Sequence, residues 1–217
     1  MKERPIIFSG EMVKALLDGR KTQTRRVIGV RNTLRTEDVH RNHNDEITCV
    51  LSNFGEFWSL GLGWKVAGID YSDAAIIRCP YGQVGQQLWV RETWCPVNDE
   101  QFGGEKWIDY RATPRYEASR PAGWENSPDD IAALKWRPSI FMPRWASRIT
   151  LEITAVRVER VQDISVNDCL AEGLIDTGFL STDYAHLWDS INAKRGYPWE
   201  SNPWVFVIEF RKVAGNR

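Results

Sequence analysis

The sequence has no long hydrophobic run. Nothing in it approaches the roughly 20 apolar residues of a membrane span, and Met1-Lys2-Glu3-Arg4-Pro5 leads into no signal-peptide core. A cytoplasmic protein without a membrane partner is therefore expected. Its four cysteines, Cys49, Cys79, Cys95 and Cys169, are scattered with no C-x-x-C spacing, which speaks against a zinc ribbon or a thioredoxin-type site. Buried free thiols in a reducing compartment are expected instead. His40 and His43 lie near Cys49, but in the polar stretch Arg41-Asn42-His43-Asn44-Asp45, which reads as a surface loop ahead of a metal site. No histidine pair or acidic cluster favours metal-dependent nuclease chemistry, so neither metal nor cofactor is expected. Charge of one sign is also lacking. The formal net charge of -1 disfavours the wide basic surface of a sequence-blind DNA binder, while leaving room for a local basic cleft. There is no internal repeat and no low-complexity tract.

What is there fits one soluble domain over 1–217. The chain is 42% hydrophobic and 26% charged, enough apolar residues to bury a core. Tryptophan is abundant, at eleven residues. Indoles stack on nucleobases, yet they also fill cores, so most of the eleven are expected to be structural.

The richest local signal is Gly19-Arg20-Lys21-Thr22-Gln23-Thr24-Arg25-Arg26. Before it, Met12, Val13, Leu16 and Leu17 share one face of a helix that Ser9 can cap and Gly19 can stop. An amine and a hydroxyl just past a helix end can act as base and nucleophile. The alternative is a basic, solvated strand start. Lys21 and Thr24 would point to opposite faces of a regular strand. They converge if residues 19–22 form a turn, which Gly19 permits.

Further along, Ile6-Ile7-Phe8 reads as a strand, Thr22 to Val30 as another, 31–48 as a loop and 49–70 as an irregular hairpin. Ala74 to Arg78, Leu88 to Trp94 and Lys106 to Tyr110 read as strands. Arg148 to Val161 alternates cleanly and is the surest strand. Ser165, Asp168 and Gly173 mark a short helix with a capping box and a glycine stop. Thr182 to Lys194 reads as a helix with Tyr184, Leu187, Trp188 and Ile191 on one face. Trp204 to Phe210 is apolar enough for a central strand. Strands with few short helices predict a small β-barrel or α+β domain.

In this order, five pieces resemble the ASCH domain family, a branch of the PUA-like β-barrels. They are the helix ending in Gly-Arg-Lys-Thr-x-Thr-x-Arg, the strand at Leu88-Trp89-Val90, the strand from Ile149 to Val158, the short helix ending Ala-Glu-Gly, and the closing Val-Ile-Glu-Phe strand. They cover roughly half of the chain. Arg4 to Ser9, Leu88 to Trp94 and Pro143 to Arg148 are similar to the larger, tryptophan-rich members carried by phages and prophages. The resemblance implies an α+β fold, a PUA-like barrel with a few short helices and insertions at about 31–83 and 97–140. It also implies a Lys-Thr-Glu triad like that of a compact bacterial amidohydrolase that deacetylates N4-acetylcytidine. The triad falls on Lys21, Thr24 and Glu172, and a family arginine on Arg26. Arg26, Arg91, Trp94 and Arg144 are the expected substrate-binding residues. The compact relative lacks the two insertions, which leaves the substrate more open than the triad.

Amide hydrolysis needs a nucleophile, a base and a proton donor for the leaving amine. Thr24 would attack, Lys21 would take its proton, and Glu172 would protonate or position the exocyclic nitrogen. A modified nucleoside is the expected ligand. Each residue also has a plainer reading: Lys21 as a phosphate contact, Thr24 as a strand residue, Glu172 as the salt-bridge partner of Lys21, Arg25 and Arg26 as solvated charges, and Trp94 as core. The competing function is a non-catalytic module for single-stranded RNA, with Arg144 and Arg148 flanking Trp145 as a basic-aromatic patch. A ribonuclease comes last.

Overall fold

A computed structural model describes residues 3–28, 49–54, 57–62, 75–77, 79–98, 106–114 and 135–213. His40 and His43 lie outside them. The elements run β1 (Glu3–Ile7), α1 (Gly10–Leu17), β2 (Gln23–Val27), β3 (Cys49–Phe54), β4 (Phe57–Leu62), β5 (Ala75–Ile77), β6 (Gln87–Arg91), β7 (Trp94–Asn98), β8 (Lys106–Tyr110), β9 (Thr150–Arg160), α2 (Val166–Ala171), α3 (Leu180–Asn192) and β10 (Trp204–Val213). This is an α+β architecture.

Its centre is a mixed five-stranded sheet in the order β1-β6-β9-β10-β2. Only β1 and β6 run parallel, and β10 pairs antiparallel with both β9 and β2. The apolar closing strand is thus interior, as its composition predicts. Alternation along β10 divides two cores. Phe206, Ile208 and Phe210 join Val13 and Leu16 of α1 with Ile6, Leu88, Leu151 and Ile153 on one face. Val205 and Val207 face α2 and α3, where Cys169, Leu180, Tyr184 and Trp188 cover them. Each such side chain removed from water contributes roughly 1.5–3 kcal/mol. Outside this sheet, β3, β4 and β5 form one antiparallel unit, and β7 and β8 form another.

The segment Leu88 to Trp94, expected as one strand, is two. It breaks at Glu92 and Thr93, and the chain leaves the main sheet to enter the β7–β8 ribbon. The reason is the Glu92 carboxylate, which is buried and grips Arg148 with two hydrogen bonds of 2.9 Å. A buried carboxylate needs such a partner more than it needs strand continuity. Beyond the break, Trp94 packs with Tyr110, Met142 and Ala146 in a third small core.

Candidate functional site

Two helix ends meet to build the site. At the end of α1, Gly19 takes a left-handed φ of 76°, the Gly19 N–H donates to Leu16 O and the Arg20 N–H to Ala15 O. That is a Schellman stop, and it satisfies the last carbonyls of the helix. The end of α2 repeats it. Gly173 has φ 97°, its N–H donates to Leu170 O, and the Leu174 N–H donates to Cys169 O. At the other end of α2, Ser165 and Asp168 form the expected reciprocal capping box. The two stops dock closely. The Thr22 N–H donates to Ala171 O at 2.8 Å, and a Cβ on Gly173 would fall 2.8 Å from Ala15 Cβ and 3.2 Å from Lys21 Cβ.

The chain consequently turns at Asp18 and Gly19, residues 20–22 are irregular, and β2 begins only at Gln23. Lys21 is freed from strand alternation and points inward, 2% exposed. Its Nζ donates to the Glu172 backbone carbonyl and to Glu172 Oε2, both at 2.7 Å. Residues 151 positions apart thereby share one buried charge pair. Burial pushes the Lys21 ammonium below its ordinary pKa. The Glu172 carboxylate pulls the other way, and the Arg26 and Arg25 guanidiniums add to the depression.

Beside this pair lies a cavity of about 220 Å³. Glu172 lines it, and so do the consecutive residues Thr24, Arg25, Arg26 and Val27. Neighbours on a strand point to opposite faces, so four in a row can share a cavity only where it wraps around an open sheet edge. β2 is such an edge, because among the described residues β10 is the one strand paired with it. The far wall is the face of α3 that its apolar spacing picks out: Tyr184, Leu187, Trp188 and Ile191. Met12 and Tyr81 enter from the α1 side, and Asn192, Arg195 and Tyr197 from the turn after α3. Among the described residues the Thr24 hydroxyl has no hydrogen-bond partner, Lys21 included. Arg26 donates to the Ile7 carbonyl at 2.7 Å. Its guanidinium and the Lys21 ammonium lie over the Phe8 ring at 5.3 and 5.5 Å.

The floor beneath is charged throughout. Arg25 Nη2 sits 3.2 Å from both Glu159 and Asp168. Arg157 in turn binds Glu159, Glu209 and Asp168. Burial raises the Asp168 carboxyl, but the Ser165 hydroxyl and N–H and the Arg25 guanidinium outweigh it and bring it to about 2. Every acid here already serves a guanidinium, and among the described residues no group of three His, Cys, Asp or Glu side chains could hold a metal ion.

The chain matches no family model, no curated protein and no solved structure. Geometry alone must therefore rank the candidate residues. Thr24, Glu172 and Arg26 line the cavity, and Lys21 is bonded to Glu172 without being a lining residue itself. Arg91, Trp94 and Arg144 do not line the cavity. Arg91 lies 4.7 Å over the Trp89 ring. Trp94 is sealed in the third core, with the Trp145 ring edge-on at 5.9 Å, which leaves no face for a base. Arg144 is held by Glu3.

Arg25 and Tyr184 are the cavity residues that sequence reasoning undervalued. Arg25 reads locally as a solvated charge, and its acidic partners are more than 130 residues away. Tyr184 reads as one more apolar helix position. Burial raises its phenol well above the ordinary value, and the nearby Glu172 carboxylate adds to this, so the hydroxyl remains a donor. Among the described residues no helix is long and apolar enough to cross a membrane.

Proposed function

We propose that this is a cytoplasmic amidohydrolase of the ASCH type that removes the acyl group from an N4-acylated cytosine nucleoside. The observation that carries the reading is that Glu172, which Lys21 holds at 2.7 Å, lines a cavity together with Thr24 and Arg26. At about 220 Å³ the cavity falls below the ~300–1,000 Å³ of drug-sized ligand pockets, so it suits a nucleobase better than a polymer. The PUA-like barrel part of the reading draws support from the sheet's two edges. Arg26 on β2 reaches the Ile7 carbonyl on β1, so the first and last strands of the sheet approach each other.

In this mechanism the Thr24 oxygen attacks the acyl carbon while Lys21, in its neutral form, takes the hydroxyl proton. Burial lowers the Lys21 pKa and so favours the neutral amine that this step needs. The tetrahedral intermediate collapses by breaking the bond to the exocyclic nitrogen, which receives that proton by way of Glu172. Water then cleaves the threonyl ester and releases the acid. The Tyr184 hydroxyl is a donor available to the developing oxyanion. The bond between Thr24 and Lys21 forms when ligand displaces Lys21 from one of its Glu172 contacts; catalytic hydrogen bonds commonly tighten only in the complex.

The test is acetate release from N4-acetylcytidine by the pure chain. Thr24→Val should lower kcat by about 10²–10⁴ while leaving the thermal midpoint within a few degrees. Absence of turnover by folded protein across several N4-acyl nucleosides overturns the reading. One observation favours the RNA-binding alternative: Trp145 is 70% exposed beside Arg144 and could stack a base. Salt-dependent binding of short single-stranded RNA, undiminished in Lys21→Ala and lost in Trp145→Ala, would select it.

A further inference from the structure

Four buried polar atoms on residues that line this cavity have no hydrogen-bond partner: Glu172 Oε1, Arg25 Nη1, Arg25 Nε and Arg26 Nε. Glu172 Oε1 and Arg25 Nη1 are unbonded although the other half of each side chain is fixed. Glu172 Oε2 is held by Lys21, and Arg25 Nη2 by Glu159 and Asp168. Glu172 Oε1 and Arg25 Nη1 face each other at 3.8 Å, too far for a hydrogen bond of ordinary strength. Both residues are at least nine-tenths buried, and both line the cavity. Leaving a buried acceptor and a buried donor unsatisfied is costly, and native structures do so where something else completes them. Rotation cannot cure it, because each side chain is anchored through its second polar atom.

We propose that Glu172 Oε1 and Arg25 Nη1 are a donor–acceptor reader for the base edge, with the carboxylate accepting the exocyclic N4–H and the guanidinium donating to the adjacent ring acceptor N3. The inference rests on the cytosine-nucleoside reading above and deepens it by assigning specificity to Arg25, a residue outside the Lys-Thr-Glu triad. A site built to hydrogen-bond a group rejects the analogue that lacks it, because its own polar atoms are then stranded. The acyl substituent on N4 leaves one N–H in place, so the same edge is presented by substrate and by product cytidine. The pair can therefore be tested by binding, without turnover.

The experiment is calorimetric titration of the full chain with cytidine, N4-methylcytidine, N4,N4-dimethylcytidine and 3-deazacytidine. Cytidine and N4-methylcytidine, which both keep an N4–H, should bind within a few-fold of each other. Loss of the donor in the dimethyl compound, or of the N3 acceptor in the deaza compound, should weaken binding at least about tenfold. Arg25→Lys keeps a cation for Glu159 and Asp168 but removes Nη1. It should bring 3-deazacytidine to within about twofold of cytidine while the penalty for the dimethyl compound persists. If that variant does not fold, the ligand series on the native chain decides alone. Equal affinity across the four nucleosides, as expected if water satisfies the pair, overturns the proposal, and so does failure of cytidine to bind at millimolar concentration. Edge discrimination without acetate release would refute the hydrolase and leave the reader standing; acetate release without discrimination would do the reverse.

Discussion

Lys21→Met should destabilise the chain severely, and adding Glu172→Gln should recover part of the loss. In the native structure the Glu172 carboxylate has one strong partner, the ammonium at 2.7 Å, and its second oxygen has no hydrogen bond, only the Arg25 guanidinium at 3.8 Å. Removing the ammonium strands a buried carboxylate, a change that costs about 3–5 kcal/mol. For a chain of this length that is a fall of roughly 6–20 °C in thermal midpoint, at about 2–4 °C per kcal/mol. It is also a large share of the ~5–15 kcal/mol that holds a typical domain together. Glu172→Gln alone strands the ammonium on a backbone carbonyl and an amide. The double variant buries neither charge, and Arg25 retains Glu159 and Asp168. A double-mutant cycle in urea should therefore show coupling of about 2 kcal/mol or more, with the m-value unchanged. Additivity within about 0.5 kcal/mol would refute the idea that this pair is one electrostatic unit.

The same pair predicts a pH dependence with a definite sign. Burial lowers the Lys21 pKa in the native state below its ordinary value of 10.5. Between the native pKa and 10.5 the unfolded chain binds more protons, so stability rises with pH through that window. Below the native pKa that contribution is fully lost. Lys21→Met should remove this rise when its unfolding profile between neutral pH and about 10.5 is subtracted from that of the native chain. A rise of equal slope in both proteins would show that Lys21 titrates normally.

Gly173→Ala forces a side chain onto a backbone with φ 97° and to within 2.8 Å of Ala15 Cβ, so it should cost at least about 1 kcal/mol in urea unfolding. Because Lys21 Cβ is the next neighbour at 3.2 Å, activity should fall further than stability. Arg148→Ala leaves Glu92, 1% exposed, without its two hydrogen bonds, and should cost about 3–5 kcal/mol with no specific effect on the cavity. The Asp168 carboxylate contributes stability above its ordinary pKa of 3.8 that is lost as pH falls through about 2. The contribution is at most about 2 kcal/mol, and Asp168→Asn should flatten the acid limb of stability between pH 4 and 2.

Local chemistry made much of this fold legible. Ser9, Gly19, Ser165 and Gly173 marked the ends of α1 and α2 because capping is decided within a few residues. The alternation of β9 marked it as a strand and the apolar run of β10 placed that strand inside the sheet, since period and burial are also local properties. The break at Glu92 was hidden because the partner that rewards it, Arg148, lies 56 positions away. Arg25 was hidden for the same reason. An Arg-Arg pair in a strand looks solvated until Glu159 and Asp168 are brought beneath it. Nor could spacing foretell that β2 would be an edge, and only an edge allows Thr24 and Arg25 to serve one cavity from opposite faces.

The meeting of helix ends explains why a lysine in this position can titrate at all. The carbonyl ends of α1 and α2 carry partial negative charge and attract cations. Arg20 reaches the Gly173 carbonyl at 2.8 Å, and Lys21 reaches the Glu172 carbonyl at 2.7 Å. At an exposed helix end those carbonyls would hold an ammonium charged, and with the Glu172 carboxylate added they would make a poor base. Here desolvation is the larger effect, and two guanidiniums act with it. The amine is thus poised by opposition: the carboxylate and carbonyl fix where it sits, and exclusion of water decides how readily it gives up its proton. Any substitution that admits water to the pocket without touching Lys21, such as Tyr184→Ala on the α3 wall, should raise the pKa of the amine and move the ascending, acid-side limb of the activity profile upward in pH. A profile unmoved by that change would mean that something other than desolvation sets the basicity of Lys21.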